Sequence, residues 1–167
     1  MATRSPVGAM ISAGFSIQNS SAGLVLPNIA DTGPSEPSQE PSMSEVATLV
    51  KRYVERYNSN DVEGMLDCCA DDVVFETITN PGGSIKLTGK DEMREVLEAT
   101  TRAFRERRHE VIRIIVDGER AAAETVFSGV AAAELGQSIR LGEHISIRGA
   151  TIFELRDGRL SRICDYS

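Results

Sequence analysis

The stretch RYVERYNSNDVEGMLDCCADDVVFETI, residues 52–78, decides the fold of this chain because it predicts two short helices followed by a strand. The first helix has apolar side chains at helical spacing, and two tyrosines belong to that stripe: Val46, Leu49, Val50, Tyr53, Val54 and Tyr57. Ser42 and Glu45 form a predicted capping box at its start. The pattern therefore predicts an amphipathic helix whose buried face carries both tyrosines.

The rest of the stretch predicts a second helix and a strand. Asn60 and Glu63 are typical of a helix start, and the apolar face that follows is Val62, Met65, Leu66 and Cys69. The acidic pair Asp71-Asp72 then leads into VVFETI, residues 73–78, whose β-branched and aromatic content favours a strand.

Downstream, the sequence predicts a third helix and four more strands. The turn NPGG at 80–83 precedes a capping box at Thr88–Asp91, and the helix it opens has Met93, Val96, Leu97, Thr100 and Phe104 on one face. Strands are predicted at 109–116, 120–132, 144–155 and 160–166, with Asp-Gly turns inside the first and last pairs. Gly129 and Gly149 lie within strands and predict a bulge or bend. Helices followed by an antiparallel meander indicate an α+β fold.

Composition restricts the class of protein. The chain has 167 residues, 41% of them hydrophobic, and a net charge of −7. This predicts one cored domain and argues against a nucleic-acid partner. The basic cluster at 102–108 is expected to be a solvated helix end. No run is long and apolar enough to cross a membrane. The cysteines Cys68, Cys69 and Cys164 lack the spacing of a zinc or disulfide site, which favours a reducing cytoplasm.

The first 42 residues differ from the remainder. They are rich in Ser, Gly and Pro, and GPSEPSQEP at 33–41 is typical of a flexible linker. We expect a disordered leader over 1–42 and a single domain over 43–167.

The helix–helix–strand opening resembles that of the SnoaL-like and ketosteroid-isomerase-like proteins of the nuclear transport factor 2-like superfamily. The resemblance implies a cone in which three N-terminal helices pack in a curved antiparallel sheet. It places the family's catalytic tyrosine on Tyr53, its general base on Thr77 and its acidic hydrogen-bond donor on Thr151. Threonine therefore occupies two of the three isomerase positions, and neither threonine can replace the acid or the base. Standard ketosteroid isomerisation is not expected.

The resemblance also sets which side chains enter the cone. It implies a pocket with Tyr53 and Asp165 as catalytic residues and a substrate-binding wall of Tyr57, Phe75, Thr77, His109, Thr125, Phe127, Thr151 and Phe153. For Tyr53 the alternative is simple packing in the helix stripe, and for Asp165 it is an ion pair with a neighbouring arginine such as Arg162. Alternation places Glu76, Glu124 and Glu154 on the other face.

Two other branches of the superfamily resemble parts of this pattern. Limonene epoxide hydrolases have a functional aspartate where Asp165 lies, but their third-strand arginine and aspartate correspond to Thr125 and Phe127 here. Scytalone dehydratases have a histidine where His109 lies and pair it with a second one. His144 is expected to point outward, which weakens that interpretation.

The sequence thus predicts a cofactor-free enzyme, without metal, that acts on an apolar or polycyclic small molecule as an isomerase, cyclase or hydrolase. The alternative is a non-catalytic binding or dimerisation module. A homodimer is expected through the outer sheet face, where the apolar residues are Ile112, Ile114, Val126, Ala150 and Ile152.

Overall fold

A computed structural model describes residues 43–79, 83–135 and 139–167. In chain order the elements are helices α1 (Met43–Asn58) and α2 (Val62–Asp67), strands β1 (Cys69–Thr79) and β2 (Gly83–Thr88), helix α3 (Lys90–Ala103), and strands β3 (Phe104–Asp117), β4 (Arg120–Ala131), β5 (His144–Arg156) and β6 (Arg159–Tyr166). The helices pack against a curved, unclosed sheet, which confirms the predicted α+β cone. The predicted leader, with Ser42 of the first capping box, lies outside the described residues. Among the described helices, none is both long and apolar enough to cross a bilayer.

The sheet has six strands in the order β2-β1-β6-β5-β4-β3. β1 and β6 run parallel, whereas the other neighbouring pairs are antiparallel. The sheet is therefore mixed, where the sequence predicted an antiparallel one. The additional strand is β2, which pairs with β1 from Val74↔Thr88 to Thr79↔Gly83. The parallel pair matters for the site because it sets β6 in the middle of the sheet.

The helix starts differ in detail from the prediction. Asp61, not Asn60, caps α2, and its side chain accepts a hydrogen bond from the Gly64 N–H at 2.9 Å. The α3 cap is Gly89, which has no capping side chain. The Glu92 carboxylate accepts from the Thr88 N–H, one residue before the cap, at 2.8 Å, so the predicted Thr88–Asp91 capping box does not form.

Strand β3 contains two irregularities that the sequence did not predict. The pairing with β4 shifts between Arg105 and Arg108 and again between Val111 and Arg113. Glu106, inside the first irregularity, has a left-handed φ of 53°. Each extra residue reverses which face the following side chains occupy. As a result Ile114 packs on the core, and the prediction that it points outward is wrong.

The same irregularities change the environment of the basic cluster. Arg105 to Arg108 belong to β3 and not to a helix end, and Arg107 is only 6% exposed. The expectation that residues 102–108 form a solvated helix terminus is therefore wrong for Arg107.

Gly129 and Gly149, at which the sequence predicted a bulge or bend, lie within a regularly paired stretch of β4 and β5. The β4–β5 register is unbroken from Arg120↔Glu154 to Val130↔His144, so neither Gly129 nor Gly149 forms a bulge. A Cβ on Gly149 would lie 2.4 Å from the Tyr166 carbonyl oxygen. Gly149 is thus required by the close approach of the β6 backbone.

The main core lies between the helices and the concave sheet face. Its fully buried side chains include Val46 and Val50 from α1, Met93 from α3, and Phe153 and Ile163 from the sheet. This core fills one end of the cone, and the other end opens into a cavity.

Candidate active site

The concave face of the sheet encloses a cavity of about 580 Å³. Its wall includes every side chain that the sequence placed in the pocket: Tyr53, Tyr57, Phe75, Thr77, His109, Thr125, Phe127, Thr151, Phe153 and Asp165. Apolar residues that were not predicted complete it, among them Val96 and Leu97 from α3 and Ile145 and Ile147 from β5. The cavity is large enough for a small organic molecule. The roles assigned to the ten residues remain predictions.

A row of three polar side chains crosses the sheet at the cavity wall. Thr77 of β1 and Thr151 of β5 are the strand partners of Asp165 on either side of β6. The Thr151 hydroxyl donates to Asp165 Oδ1 at 2.7 Å. The buried Thr77 hydroxyl has no hydrogen-bond partner within the described residues. One carboxyl oxygen is therefore fixed by Thr151.

The carboxyl group lies in surroundings that oppose its ionisation. Burial raises the pKa of Asp165, although the hydrogen bond from Thr151 and the charge of His109 lower it in part. Burial lowers the pKa of His109; Asp165 opposes this shift and Arg107 adds to it. Both shifts favour the neutral forms, a carboxylic acid beside an uncharged imidazole. The described structure shows no direct hydrogen bond between the two side chains, and both line the cavity.

The two tyrosines of α1 differ in their surroundings. The Tyr53 ring packs edge-on against Phe153 with 6.2 Å between centroids, and the residue is 6% exposed. Burial, then Cys69 and Asp165, raises the Tyr53 pKa well above its ordinary value. The Tyr57 ring contacts His109 at 5.4 Å in the same edge-on manner. Burial raises the Tyr57 pKa to about 12, against a lowering effect of Arg107.

Residues that the sequence did not indicate hold His109 in place. The Asn58 side chain donates to the His109 carbonyl at 2.9 Å and accepts from the His109 N–H at 2.7 Å. Arg107 donates to Asn60 Oδ1 at 2.7 Å and to the Tyr57 carbonyl at 3.3 Å. Its guanidinium lies 4.1 Å from the centroid of the Tyr57 ring. Arg107 turns inward because of the bulge between Arg105 and Arg108 in β3, and the sequence does not indicate where that bulge lies.

The second histidine lies apart from the first. His144 is exposed and borders the cavity beside Glu143, although alternation predicted that it points outward. It is three residues along β5 from Ile147, which is level with Phe127 and so with His109. The two histidines therefore do not share one level of the cavity.

The three acids that alternation placed on the outer face pair with arginines, which the sequence did not predict. Arg162 bridges Glu76 and Glu154 at 3.1 and 3.0 Å, and Arg148 pairs with Glu124. Arg162 is thus on the face opposite the cavity. The alternative of an Asp165–Arg162 ion pair is wrong.

Comparison with known proteins identifies the family of this domain. The profile of the SnoaL-like domain family matches residues 50–163. The chain belongs to this family. No curated protein matches the sequence significantly.

Solved structures share the SnoaL-like fold. A candidate polyketide cyclase from Xanthomonas campestris pv. campestris is 25% identical with a TM-score of 0.61, over 74% of this chain and 90% of that one. An LEH-like epoxide hydrolase from M. tuberculosis is 18% identical with a TM-score of 0.62, over 75% and 84%. A candidate SnoaL-like polyketide cyclase from Jannaschia sp. CCS1 is 12% identical with a TM-score of 0.64, over 80% and 90%.

Within this SnoaL-like domain, Asp165 lies between two threonines of the cavity wall. The positions that the isomerase resemblance assigns to a base and an acidic donor, Thr77 and Thr151, flank Asp165 on the same wall. Asp165 is the carboxyl group among the ten predicted wall residues, and Glu143 lies at an exposed part of the rim. The arrangement can transfer a proton to or from a molecule held against Asp165 and His109.

Proposed function

We propose that this SnoaL-like domain is a cofactor-independent acid–base enzyme of isomerase or cyclase type, acting on an apolar small molecule. The observation that carries the proposal is a carboxyl group, Asp165, set in an apolar cavity with His109 and with one oxygen fixed by Thr151. A raised carboxyl pKa brings the group nearer to the range where a base is both ionised and strong.

The chemistry that suits this arrangement is proton transfer beside a carbonyl group. The Asp165 carboxylate removes a proton from a carbon next to the carbonyl, and the electron pair of that C–H bond moves to give an enolate. Where a carbon–carbon double bond adjoins the deprotonated carbon, the enolate extends over it, the protonated Asp165 returns the proton to the far carbon of that bond, and the double bond moves into conjugation with the carbonyl, which completes an isomerisation. In a cyclisation the enolate carbon attacks a second carbonyl of the substrate, and the new alkoxide takes the proton.

Similarity to candidate polyketide cyclases supports this class of reaction. The similarity to an epoxide hydrolase adds less support, because Thr125 and Phe127 occupy the places where the resemblance requires an arginine and an aspartate. We therefore propose proton transfer, not epoxide opening.

The test is deuterium exchange into 2-tetralone, a bicyclic ketone with acidic protons beside its carbonyl, followed by mass spectrometry in D₂O. We expect the protein to accelerate exchange over buffer, and Asp165→Asn to remove roughly a hundredfold or more of that acceleration. His109→Gln should reduce it less. The control is Asp157→Asn, the same substitution in the exposed β5–β6 turn.

The same experiment separates the enzyme from a binding module. If 2-tetralone binds and exchanges no faster than in buffer, the domain is a binding module and the proposal is wrong. Equal exchange by wild type and Asp165→Asn would also contradict it.

A further inference from the structure

Arg107 is a buried cation without a counter-ion in the described structure. It is 6% exposed, and its hydrogen bonds go to neutral oxygens, Asn60 Oδ1 and the Tyr57 carbonyl. Its Nη1 atom has no partner among the described residues. Burial of an unpaired charge is costly, and an apolar side chain would pack at lower cost. The positive charge itself therefore calls for an explanation.

The Arg107 guanidinium contacts the aromatic ring of Tyr57. The guanidinium lies over the ring, 4.1 Å from its centroid, while the ring also makes a T-shaped contact with His109 and the residue lines the cavity. A cation against the ring face draws electron density from it and makes the phenol hydroxyl a stronger hydrogen-bond donor. Tyr53 packs against the neutral ring of Phe153, which has no such effect.

We propose that Tyr57, backed by the buried Arg107, is the subsite that binds the electronegative oxygen of the cavity's ligand. The ligand is then an apolar molecule with one enolisable carbonyl or phenolic oxygen, whose negative charge grows as it reacts. This assignment deepens the proposed function and rests on it for the reaction, but it concerns binding and is measurable without turnover. Arg107 acts through Tyr57 and is a positioning residue.

The charged and titratable groups around Tyr57 are few. β3 contributes Arg107 and His109, β6 contributes Asp165, and α1 itself contributes Tyr53. Glu143, His144 of β5 and Tyr166 of β6 also line the cavity and are exposed, and the remaining side chains of the wall are neutral. Arg107 favours an anion beside Tyr57, and Asp165 opposes one when ionised. The Asp165→Asn background removes that opposition.

The test uses 2-naphthol, whose absorption spectrum distinguishes the phenol from the phenolate. In the Asp165→Asn background, we expect 2-naphthol to bind and to ionise at a lower pH than in buffer. Arg107→Met and Tyr57→Phe should each raise the ionisation pH of the bound ligand by about one unit, tenfold in the equilibrium. Arg107→Lys, which keeps a charge, should restore part of the shift. The control is Arg108→Met, which changes an exposed neighbour.

Every result decides the assignment. Tyr57→Phe leaves the arginine in place, so it carries the test if Arg107→Met fails to fold. An unchanged ionisation pH in Tyr57→Phe, a larger effect of Tyr53→Phe, or no binding of 2-naphthol would overturn the proposal. If 2-naphthol behaves as expected while 2-tetralone exchange does not depend on Asp165, the proposed function fails and the subsite stands.

Discussion

At the scale of single residues, Asp165 makes the folded protein less stable than it need be. Burial raises the pKa of its carboxyl group, so the folded chain holds that proton more tightly than the unfolded chain does. As the pH rises past the ordinary aspartate pKa, the unfolded state ionises first, and the free energy of unfolding falls until the pH passes the folded-state pKa. His109 has the opposite effect. Its pKa is lowered in the folded chain, so the unfolded state takes up a proton first as the pH falls, and the free energy of unfolding then decreases.

We predict that Asp165→Asn raises the thermal midpoint by a few degrees at neutral pH and by much less near pH 4, where the folded-state carboxyl is protonated and the unfolded-state one is only about half ionised. The asparagine still accepts the Thr151 hydrogen bond. Midpoints measured for both proteins from about pH 4 to about pH 8 test this. A difference that shrinks as the pH rises would mean that the ionised Asp165 is stabilised in the fold.

Thr151 should act on the chemistry through the same carboxyl group. Thr151→Val removes the hydrogen bond that lowers the Asp165 pKa, so the carboxylate form becomes harder to reach. We predict that the acidic limb of the pH profile for 2-tetralone exchange moves to higher pH, with roughly tenfold slower exchange on that limb. Thr151→Ser keeps the donor and should restore the profile. A uniform loss of rate without movement of the limb would indicate a packing defect instead.

Ten residues of the cavity wall could be predicted from the sequence, but the residues behind the wall could not. Alternation and the family resemblance brought Asp165, His109 and the threonines to one face, because the strand stretches around these residues are regularly paired and keep the two-residue period. Arg107 could not be found in this way. It faces inward only because β3 gains extra residues, and nothing in the order of its side chains indicates where a bulge occurs.

At the scale of elements, the close contact between β5 and β6 depends on Gly149. We predict that Gly149→Ala lowers the free energy of unfolding by about 1–3 kcal/mol, since its Cβ would press on the Tyr166 carbonyl 2.4 Å away and the backbones must separate. The matched control is Gly129→Ala in β4, whose Cβ would meet the Phe104 side chain at an ordinary 3.4 Å. Urea unfolding of both variants tests this. Equal losses would show that the glycine is not required by the contact.

The end of α1 is joined to β3 by Asn58. We predict that Asn58→Ala costs about 1–3 kcal/mol, because two hydrogen bonds to the His109 backbone are lost and the backbone groups stay partly buried. Ser59→Ala, which removes an exposed hydroxyl next to it, should cost much less. The comparison is made by urea unfolding. Similar losses in the two variants would contradict a specific role for Asn58 in holding β3.

Most elements could be predicted because helical and strand periods are long and clear in this chain. The strand β2 could not, since Gly83–Thr88 is short, largely exposed and adjacent to a turn-like sequence. The parallel β1–β6 pair was also missed. Strand order across a sheet depends on contacts distant in sequence, which periodicity does not report.

At the scale of the whole molecule, dimerisation stays a prediction. The side of the sheet away from the helices carries Val126, Ala150 and Ile152, and β3 adds Ile115, which is 65% exposed. We predict a dimer by light scattering and a shift toward monomer for Ile152→Lys, which places a charge on that face. Leu141→Lys, at an exposed site outside the sheet, should leave the mass unchanged. A monomer mass at all concentrations would sink the prediction.

The central position of β6 has a consequence for how the protein is made. Among the described strands, only β6 is hydrogen-bonded to both halves of the sheet, the β1–β2 hairpin and the β3–β4–β5 meander. A ribosome therefore releases both halves with bare strand edges, and they cannot join until residue 166 has emerged. Asp165 enters the sheet with β6, so a chain that has not yet paired this strand has neither the joined sheet nor the carboxyl group in its cavity.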